Sequence, residues 1–367
     1  MVEFAGWSMP VQYASIVAEH HHTRTKLGLF DVSHMGRLFF NGSNVDQFLD
    51  SLSTRRIAGV EAGKVRYSLI CNDDGKILDD VLIYHLAAGG SFAAGENDGD
   101  SFYMMVCNAS NREKIVQWLV DHLPKDSNIK VDDRTEATAM IAVQGPEANA
   151  IVARISSVDP ETLAYYTGTV CSVEGANSIV SRTGYTGEDG CEIILASNVA
   201  AAVWRKLHDA AELIGGGATG LAARDTLRLE AAMPLYGHEL NEEINAAQTD
   251  LRFAINSKGR SFAGRDAIVS ALVEKTLPVR VGVELEGRRP AREGCNILSA
   301  EPTNQEVQEV VGHLTSGTLS PTLGVPIAMG YIRPQFAAVG TELLIDIRGK
   351  SVAAKVVELP FYKRSDR

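Results

Sequence analysis

Apolar and polar positions alternate most regularly between residues 63 and 84 of the chain. Two runs rich in apolar and β-branched residues, 67–71 and 77–84, flank the polar sequence Asn-Asp-Asp-Gly at 72–75. Turn residues between two such runs are typical of a β-hairpin. The sequence therefore predicts two paired strands at this point.

The second strand of this hairpin carries two adjacent carboxylates, Asp79 and Asp80, within an apolar run. Because side chains alternate along a strand, Asp80 is expected to share its face with Leu82 and Tyr84, with Asp79 on the opposite face. At least one carboxylate should then point into an interior or a cleft, where it must be hydrogen-bonded, paired or used. The strand pattern alone is compatible with a carboxylate capped by backbone amides and with a functional one.

Helical spacing of apolar residues occurs in several other stretches. It predicts helices at 15–25, 43–52, 108–123 and 197–213, and apolar runs predict strands at 30–36, 102–107 and 140–144. Ser110 and Glu113 have the spacing of a capping box. Three consecutive histidines, 20–22, point about 100° apart on the first helix, so they cannot share one metal ion and are expected on a solvated face.

The pattern changes after Pro278, where short strands separated by Gly and Pro replace the helices. The strand predictions are 279–285, 310–314, 327–332, 343–347 and 352–359. Such a series is typical of an all-β barrel or jelly roll. We therefore expect two regions, an α+β region of two intertwined subdomains at 1–275 and a C-terminal β-barrel domain at 276–367.

Composition excludes several classes of protein. The 367 residues carry a net charge of −11, which argues against non-specific nucleic-acid binding but leaves room for a local basic pocket. Five scattered cysteines without a C-x-x-C pair indicate reduced thiols, with neither a disulfide framework nor a zinc site. Without a transmembrane-length run or a signal-peptide pattern, we expect no membrane contact and a cytoplasmic location, or the mitochondrial matrix in a eukaryote.

Two further segments have residues suited to ligand binding. Residues 181–192 contain three glycines that allow close backbone approach, but they match neither a P-loop nor a Rossmann fingerprint. Arg224 and Arg228 lie one helical turn apart and could clamp a carboxylate or a phosphate. The alternative is that these arginines pair within their own helix, with Asp225 and Glu230.

Several of these segments resemble one known family. The hairpin pattern GK-x-x-YS-x-x-x-N-x-x-G-x-x-x-DD-x-x-x-Y resembles the folate-site hairpin of the aminomethyltransferases (T-proteins) of the glycine cleavage system. The segments FDVSHMG, RTGYTGEDG-x-E, GL-x-ARD-x-LRLEA and TSG-x-x-SPTLG are similar to other parts of the same family. The resemblance implies a multi-domain α+β T-protein fold, with two mixed α/β domains and a C-terminal antiparallel β-barrel or jelly roll.

The same resemblance implies a function. A T-protein transfers the methylene carbon of the aminomethyl group on the lipoyl arm of the H-protein to tetrahydrofolate, giving 5,10-methylenetetrahydrofolate and ammonia. Tetrahydrofolate would be a co-substrate, the partner would supply the lipoyl group, and no metal would be needed. The catalytic carboxylate would be Asp80, and the folate-pocket residues would be Tyr67, Tyr84, Val106, Tyr165, Tyr185, Glu192 and Arg224.

Two alternatives share this fold. One is a folate-binding regulator or iron–sulfur assembly factor, whose K-G-C-x-x-G-Q-E segment does not occur in this sequence. The other is a folate-dependent demethylase of the dimethylglycine or sarcosine oxidase type, which would normally come with a flavin domain. The sequence contains no dinucleotide fingerprint that would indicate such a domain.

Overall fold

The structure, a computed structural model, describes residues 1–87, 101–301 and 308–364. Its strands are β1 (Val2–Phe4), β2 (Trp7–Met9), β3 (Gly28–Asp31), β4 (Gly36–Asn41), β5 (Lys64–Cys71), β6 (Ile77–Ala87), β7 (Ser101–Cys107), β8 (Lys130–Asp133), β9 (Thr138–Gln144), β10 (Gly168–Val173), β11 (Ala176–Ser181), β12 (Gly190–Ala196), β13 (Gly217–Ala218), β14 (Val279–Leu285), β15 (Asn296–Ser299), β16 (Val310–Leu319), β17 (Pro326–Ile332), β18 (Glu342–Asp346) and β19 (Ser351–Val357). Its α-helices are α1 (Ile16–Thr25), α2 (Val45–Leu52), α3 (Arg112–Asp121), α4 (Ala148–Ala153), α5 (Ser197–Glu212), α6 (Leu221–Glu230) and α7 (Arg265–Glu274).

The first sheet is antiparallel and contains the predicted hairpin. Within the described residues its strand order is β5-β6-β7-β4-β8. The turn between β5 and β6 is closed by the Asn72 side chain, whose Oδ1 accepts from the backbone N–H groups of Asp74 and Lys76. Gly75 has a φ of +73°, a conformation that glycine adopts without steric cost. The hairpin prediction is therefore confirmed.

The second sheet has the order β10-β11-β12-β9-β3-β13 in the described part of the chain, and only its β3–β13 pair is parallel. The chain crosses from β3 in this sheet to β4 in the first, which intertwines the two subdomains. The prediction of one strand at 30–36 is wrong, because a turn at 32–35 separates two strands. In that turn Asp31 Oδ1 accepts from the Ser33 backbone N–H, an Asx turn that ends the strand.

The two sheets face each other across a core of large apolar side chains, among them Phe30, Met104, Ile179 and Ile194. Helices α2 and α3 cover the outer face of the first sheet, and α4 and α5 cover the outer face of the second. Removing each such side chain from water contributes about 1.5–3 kcal/mol. This layering positions the inner face of β6 toward the space between the sheets.

The C-terminal strands form a closed antiparallel barrel in the order β14-β17-β16-β15-β18-β19. Every strand predicted in this region is present, and the short strand β15 was missed. Helix α7 ends at Glu274 and β14 begins at Val279, and the domain division at residue 276 remains a prediction. Arg280 joins the barrel to the rest of the molecule, because it donates to the carbonyl oxygens of Thr249 (2.7 Å) and Ala232 (2.9 Å).

In the histidine run on α1, His21 is exposed as expected and His22 is half-buried, but His20 departs from the expected solvated face. His20 is fully buried and contacts the hydroxyl oxygens of Thr226 and Thr322 at 2.8 Å each. Its Nε2 also lies 3.2 Å from a carboxylate oxygen of Glu230. The prediction failed because α1 packs against α6 and reaches the barrel loop containing Thr322, long-range contacts that local periodicity does not reveal.

No helix in the described ranges has the length and apolar composition needed to span a membrane.

Candidate functional site

A cavity of about 720 Å³ lies between the two sheets, helix α6 and the barrel. Its size falls in the range of sites that enclose a small organic ligand. Most residues expected in the folate pocket line it, namely Tyr67, Asp80, Val106, Tyr185, Glu192 and Arg224. Segments far apart in sequence therefore meet in one cavity, where β6, β12 and α6 supply Asp80, Glu192 and Arg224.

Asp80 reaches the cavity from the inner face of β6. The Tyr67 hydroxyl donates to Asp80 Oδ2 at 3.1 Å, and the Asn108 side-chain amide donates to Asp80 Oδ1 at 2.8 Å. Tyr67 lies on the neighbouring strand β5, and Asn108 follows the end of β7. Both oxygens of this carboxylate are thus held by donors from the two adjacent strands.

Asp79 points to the other face of β6 and is completely buried. Its carboxylate accepts from the Asn108 backbone N–H (3.0 Å), from the Asn108 side chain (2.8 Å) and from the Asn111 side chain (2.7 Å). Asp79 is thus the amide-capped carboxylate that the strand pattern allowed, although two of its three donors are side-chain amides. The opposite placement of Asp79 and Asp80 agrees with the predicted alternation.

The predicted capping box on α3 does not form. The helix begins at Arg112 after a short 3₁₀ turn at Ala109–Asn111, without a hydrogen bond from a capping side chain. The side chains of Asn108 and Asn111 are instead directed onto Asp79. The residues just before the helix therefore serve the buried carboxylate, and the spacing of Ser110 and Glu113 does not produce a cap.

Burial raises the pKa of Asp80, and burial followed by the charge of Asp80 raises the pKa of Asp79. Because the two carboxyls are adjacent, the pair loses its second proton at a pH well above the usual pKa range of aspartate. Burial and the charge of Asp80 also raise the pKa of Tyr67. Tyr67 therefore stays protonated and can donate its hydrogen bond to Asp80.

The inner end of the cavity contains Glu192 and Arg224. Glu192 is 5% exposed and accepts a hydrogen bond from the Thr183 hydroxyl, and burial raises the pKa of its carboxyl. The guanidinium carbon of Arg224 lies 4.8 Å from the centroid of the Tyr185 ring. The buried Nη1 of Arg224 has no hydrogen-bond partner among the described residues. An unpaired buried donor is costly, so this end of the cavity suits a ligand that offers both donors and acceptors.

Arg228, one turn from Arg224, is fully engaged within the protein. It donates to Asp225 (2.8 Å), Glu239 (2.7 Å) and the hydroxyl of Ser316 on the barrel (2.8 Å). The pairing with Asp225 follows the alternative drawn from sequence, and the idea of two arginines clamping one ligand is wrong for Arg228. Of the two, Arg224 alone keeps an unpartnered donor in the described structure.

Glu230 has other partners than the arginines of its own helix. Its carboxylate accepts from Arg24 at 2.8 Å and from the hydroxyls of Thr322 (2.8 Å) and Ser320 (2.5 Å) on the barrel loop. Burial alone would raise its pKa, but His20, Arg24 and Ser320 together lower the pKa to about 2. This buried network ties α1 and α6 to the barrel.

Two expected pocket residues do not line the cavity. Tyr84 is completely buried in the core beneath it, with its hydroxyl 3.4 Å from Ser181 Oγ. Tyr165 is 53% exposed, and its ring packs edge-on against Tyr166 with centroids 4.7 Å apart. The neighbouring Tyr166 lines the cavity instead, a difference of one residue that a motif match does not resolve.

His34 adds an unpartnered polar atom to the cavity. Its buried Nδ1 has no hydrogen-bond partner in the described part of the chain. The ring lines the cavity and packs edge-on against Phe4, with centroids 5.5 Å apart. Burial, followed by the charges of Arg224 and Arg37, lowers its pKa to about 3, so the imidazole is neutral.

The glycines of 181–192 serve the sheet more than a ligand. A Cβ on Gly184 would lie 1.9 Å from the Gln144 side-chain oxygen, and one on Gly190 would lie 2.2 Å from the Val143 carbonyl oxygen. Both neighbours belong to β9. At these two positions the close approach is to the adjacent strand, whereas a Cβ on Gly187 would lie 2.8 Å from the Cβ of Ala231 at the end of α6.

The described residues contain no group of three or more His, Cys, Asp or Glu side chains that could hold a metal ion.

Comparison with known proteins extends over nearly the whole chain. A family model described as the GCVT N-terminal domain matches residues 1–259, and one described as the glycine cleavage T-protein C-terminal barrel domain matches 279–363. The chain is 40% identical over 384 residues to an aminomethyltransferase of Corynebacterium jeikeium (strain K411), covering 99% of this chain and 94% of that protein. It is also 40% identical over 370 residues to an aminomethyltransferase of Streptomyces coelicolor, with the same coverage of both.

A solved structure agrees with these relatives. The crystal structure of glycine cleavage system aminomethyltransferase T from Bartonella henselae superimposes with a TM-score of 0.87 at 31% sequence identity. The match covers 99% of this chain and 94% of that one.

Proposed function

The chain belongs to the glycine cleavage T-protein family of aminomethyltransferases, and from this we infer the reaction and the roles of the cavity residues. It has the T-protein fold and is a tetrahydrofolate-dependent one-carbon transferase. We propose that its donor is the aminomethyl group on the lipoyl arm of an H-protein, and that its products are 5,10-methylenetetrahydrofolate, ammonia and the dihydrolipoyl carrier. The observation that supports these roles is that Asp80, Glu192 and Arg224 meet in one cavity.

Tetrahydrofolate would bind as a substrate with its pterin ring at the inner end of the cavity. The Glu192 carboxylate can accept both donors of the amino-pyrimidinone edge, and the free Nη1 of Arg224 can donate to an acceptor of the ligand. Tyr166 and Tyr185 provide ring faces against which flat groups can stack. These residues would bind and orient the folate beside Asp80.

The reaction forms two C–N bonds between the methylene carbon and the two folate amines. It breaks the C–S bond to the lipoyl sulfur and the C–N bond to the departing ammonia. The two protons lost by the folate amines leave with ammonia and with the thiol, so no oxidant or reductant is required. Asp80 would stabilise positive charge that develops at the methylene carbon and amines, and its raised pKa suits it to exchange a proton with them.

The regulator and demethylase alternatives are not favoured, because the full-length relatives are aminomethyltransferases. The direct test measures tetrahydrofolate-dependent ammonia release from aminomethylated H-protein. The proposal requires ammonia and methylenetetrahydrofolate in equal amounts. Ammonia release that does not depend on tetrahydrofolate, or no release at all, would refute it.

A further inference from the structure

The turn between β3 and β4 places a histidine in the cavity wall. His34 lies where the chain crosses from the second sheet to the first, and only 4% of its surface is exposed. Its ring lines the cavity, and its Nδ1 has no hydrogen-bond partner among the described residues. The reaction proposed for Asp80 leaves this side chain without a role.

The backbone around His34 is fixed by one buried guanidinium. Arg37 Nη1 donates to the Met35 carbonyl oxygen at 2.5 Å, and Arg37 Nη2 donates to the Ser33 carbonyl oxygen at 3.0 Å. The Met35 backbone N–H donates in turn to the Val32 carbonyl oxygen at 3.1 Å. Because the carbonyl groups on both sides of His34 are held, the imidazole keeps one place in the cavity wall.

The groups around the imidazole leave it neutral. Burial, followed by the charges of Arg224 and Arg37, lowers the pKa of His34 to about 3. No carboxylate of the described structure contributes to this shift, so His34 has no acidic partner of the kind that orients a catalytic base. A neutral imidazole has one N–H donor and one acceptor nitrogen, which suits it to bind a polar group of a ligand.

An unpartnered nitrogen in this place costs stability. A buried polar atom without a hydrogen bond destabilises the folded protein, and an apolar side chain of similar size would avoid that cost. The Nη1 of Arg224 also lacks a partner in the described part of the chain, and the charge of Arg224 acts on the His34 ring. Two unpartnered polar groups therefore adjoin in the cavity wall, where one ligand could satisfy both.

The same end of the cavity contains the residues proposed to bind the pterin. Burial lowers the pKa of Arg224, while the charges of Tyr185 and Glu192 oppose this shift. The guanidinium carbon of Arg224 lies 4.8 Å from the centroid of the Tyr185 ring. A reduced pterin has N–H donors beside carbonyl and ring-nitrogen acceptors, so it can form a hydrogen bond with a neutral imidazole in either tautomer.

We propose that His34 binds the pterin ring of tetrahydrofolate through a hydrogen bond between its imidazole and the polar edge of the ring beside Arg224. This inference rests on the proposed function, because it adds a residue to the binding site of the one-carbon acceptor. His34 binds and orients the ligand and takes no proton in the reaction. The stability lost through its unpartnered nitrogen is regained when the ligand binds.

The test replaces His34 by Leu, Asn and Gln. Leucine removes both nitrogens, whereas the amides of Asn and Gln can stand in for Nδ1 and Nε2, respectively. The control is His85→Leu, because His85 does not line the cavity and both its nitrogens are bonded, to the Val60 carbonyl oxygen (2.6 Å) and the Ser101 hydroxyl (2.9 Å). For each protein we would measure the melting temperature without ligand and the Kd of tetrahydrofolate and of 6-methyltetrahydropterin, which lacks the benzoyl-glutamate tail.

We expect His34→Leu to raise the Kd of tetrahydrofolate and of the tetrahydropterin by the same factor, about tenfold. The melting temperature of this variant should equal or exceed that of the wild type, because leucine removes an unpartnered buried nitrogen. At least one of His34→Asn and His34→Gln should restore both affinities to within about threefold of the wild type. His85→Leu should show the opposite pattern, a lower melting temperature with unchanged affinities.

Three results would contradict the proposal. Wild-type affinities in His34→Leu would show that the ligand does not bind His34. A lower melting temperature in His34→Leu, with neither amide variant restoring affinity, would make His34 a structural residue. A Kd that rises for tetrahydrofolate and not for the tetrahydropterin would place the contact on the tail of the folate.

Failure of the proposed function would give a different result. A wild-type protein that binds neither tetrahydrofolate nor the tetrahydropterin refutes the proposed function and the His34 contact together. Tetrahydrofolate-dependent ammonia release by the wild type, with wild-type affinities in His34→Leu, removes the His34 contact and leaves the function intact.

Discussion

Asp79 and Asp80 accept hydrogen bonds from the same side-chain amide, that of Asn108, at 2.8 Å each. The first carboxylate is enclosed by amides on one face of β6, and the second opens onto the cavity on the other face. Asn108 therefore links a structural carboxylate to the proposed catalytic one. The two carboxylates share this donor, and the charge of Asp80 raises the pKa of Asp79.

Replacing Asp79 by Asn should lower stability but leave the acid limb of the kcat profile in place. The charge of Asp80 raises the pKa of Asp79, so Asp80 loses its proton first, beside a neutral Asp79, and an amide at position 79 keeps that neighbour neutral. The variant should melt at a lower temperature, because an amide cannot accept all three of the N–H bonds that Asp79 receives. An acid limb that moves to lower pH in a folded variant would contradict this order of ionisation.

Asn111→Ala is a matched control for Asp79→Asn, because it changes the hydrogen bonding of Asp79 and leaves that of Asp80 intact. It removes one donor from Asp79 and leaves both bonds from Asn108 in place. We expect a loss of about 1–3 kcal/mol in the free energy of unfolding, the usual cost of leaving a buried polar group underbonded. Denaturant unfolding and turnover should be measured together, and a large loss of turnover at unchanged stability would contradict a purely structural role.

Arg224 and Arg228 should respond differently to replacement by Ala. Arg224→Ala removes the donor left unpartnered in the cavity and should weaken tetrahydrofolate binding by about tenfold or more. Arg228→Ala leaves the buried Glu239 without its arginine and should destabilise the fold by about 3 kcal/mol or more. Calorimetric binding and thermal unfolding of both variants would check this, and equal folate affinities for wild type and Arg224→Ala would remove Arg224 from the site.

The sequence was sufficient to predict the hairpin, the two faces of β6 and the barrel, because all three depend on local alternation and turn residues. It also indicated most of the residues that meet in the cavity, through long motifs. It did not reveal that Asn108 and Asn111 bind Asp79, since that contact depends on a partner about 30 residues away. The burial of His20 was missed for the same reason, because its partners lie on α6 and the barrel loop.

Tyr165 and Tyr166 show the limit of motif matching at the scale of one residue. Tyr166 lines the cavity and Tyr165 is largely exposed. We therefore expect Tyr166→Ala to reduce tetrahydrofolate affinity by about tenfold, because it removes a ring that stacks on the ligand. Tyr165→Ala should have a smaller effect. Equilibrium binding of both variants decides between them, and a larger effect at Tyr165 would restore the original assignment.

Glu230 should give the protein an acid-sensitive junction between α6 and the barrel. Its folded pKa of about 2 lies below its ordinary value of 4.5, so its contribution to stability is present above about pH 4.5 and is lost as pH falls toward 2. Melting temperatures of the wild type and Glu230→Gln should therefore differ most near neutral pH and converge on acidification. A difference that stays constant between pH 6 and pH 3 would contradict this assignment.

The central claim is that Asp80 carries the chemistry, and Asp80→Asn tests it most directly. The substitution preserves size and removes the charge, so the variant should fold and bind tetrahydrofolate normally. The decisive measurement is tetrahydrofolate-dependent ammonia release from aminomethylated H-protein by wild type, Asp80→Asn and Asp79→Asn side by side. We predict a loss of about 10²-fold or more in kcat for Asp80→Asn, with Asp79→Asn affected mainly in stability. An active Asp80→Asn variant beside a folded but inactive Asp79→Asn variant would contradict the account and exchange the two roles.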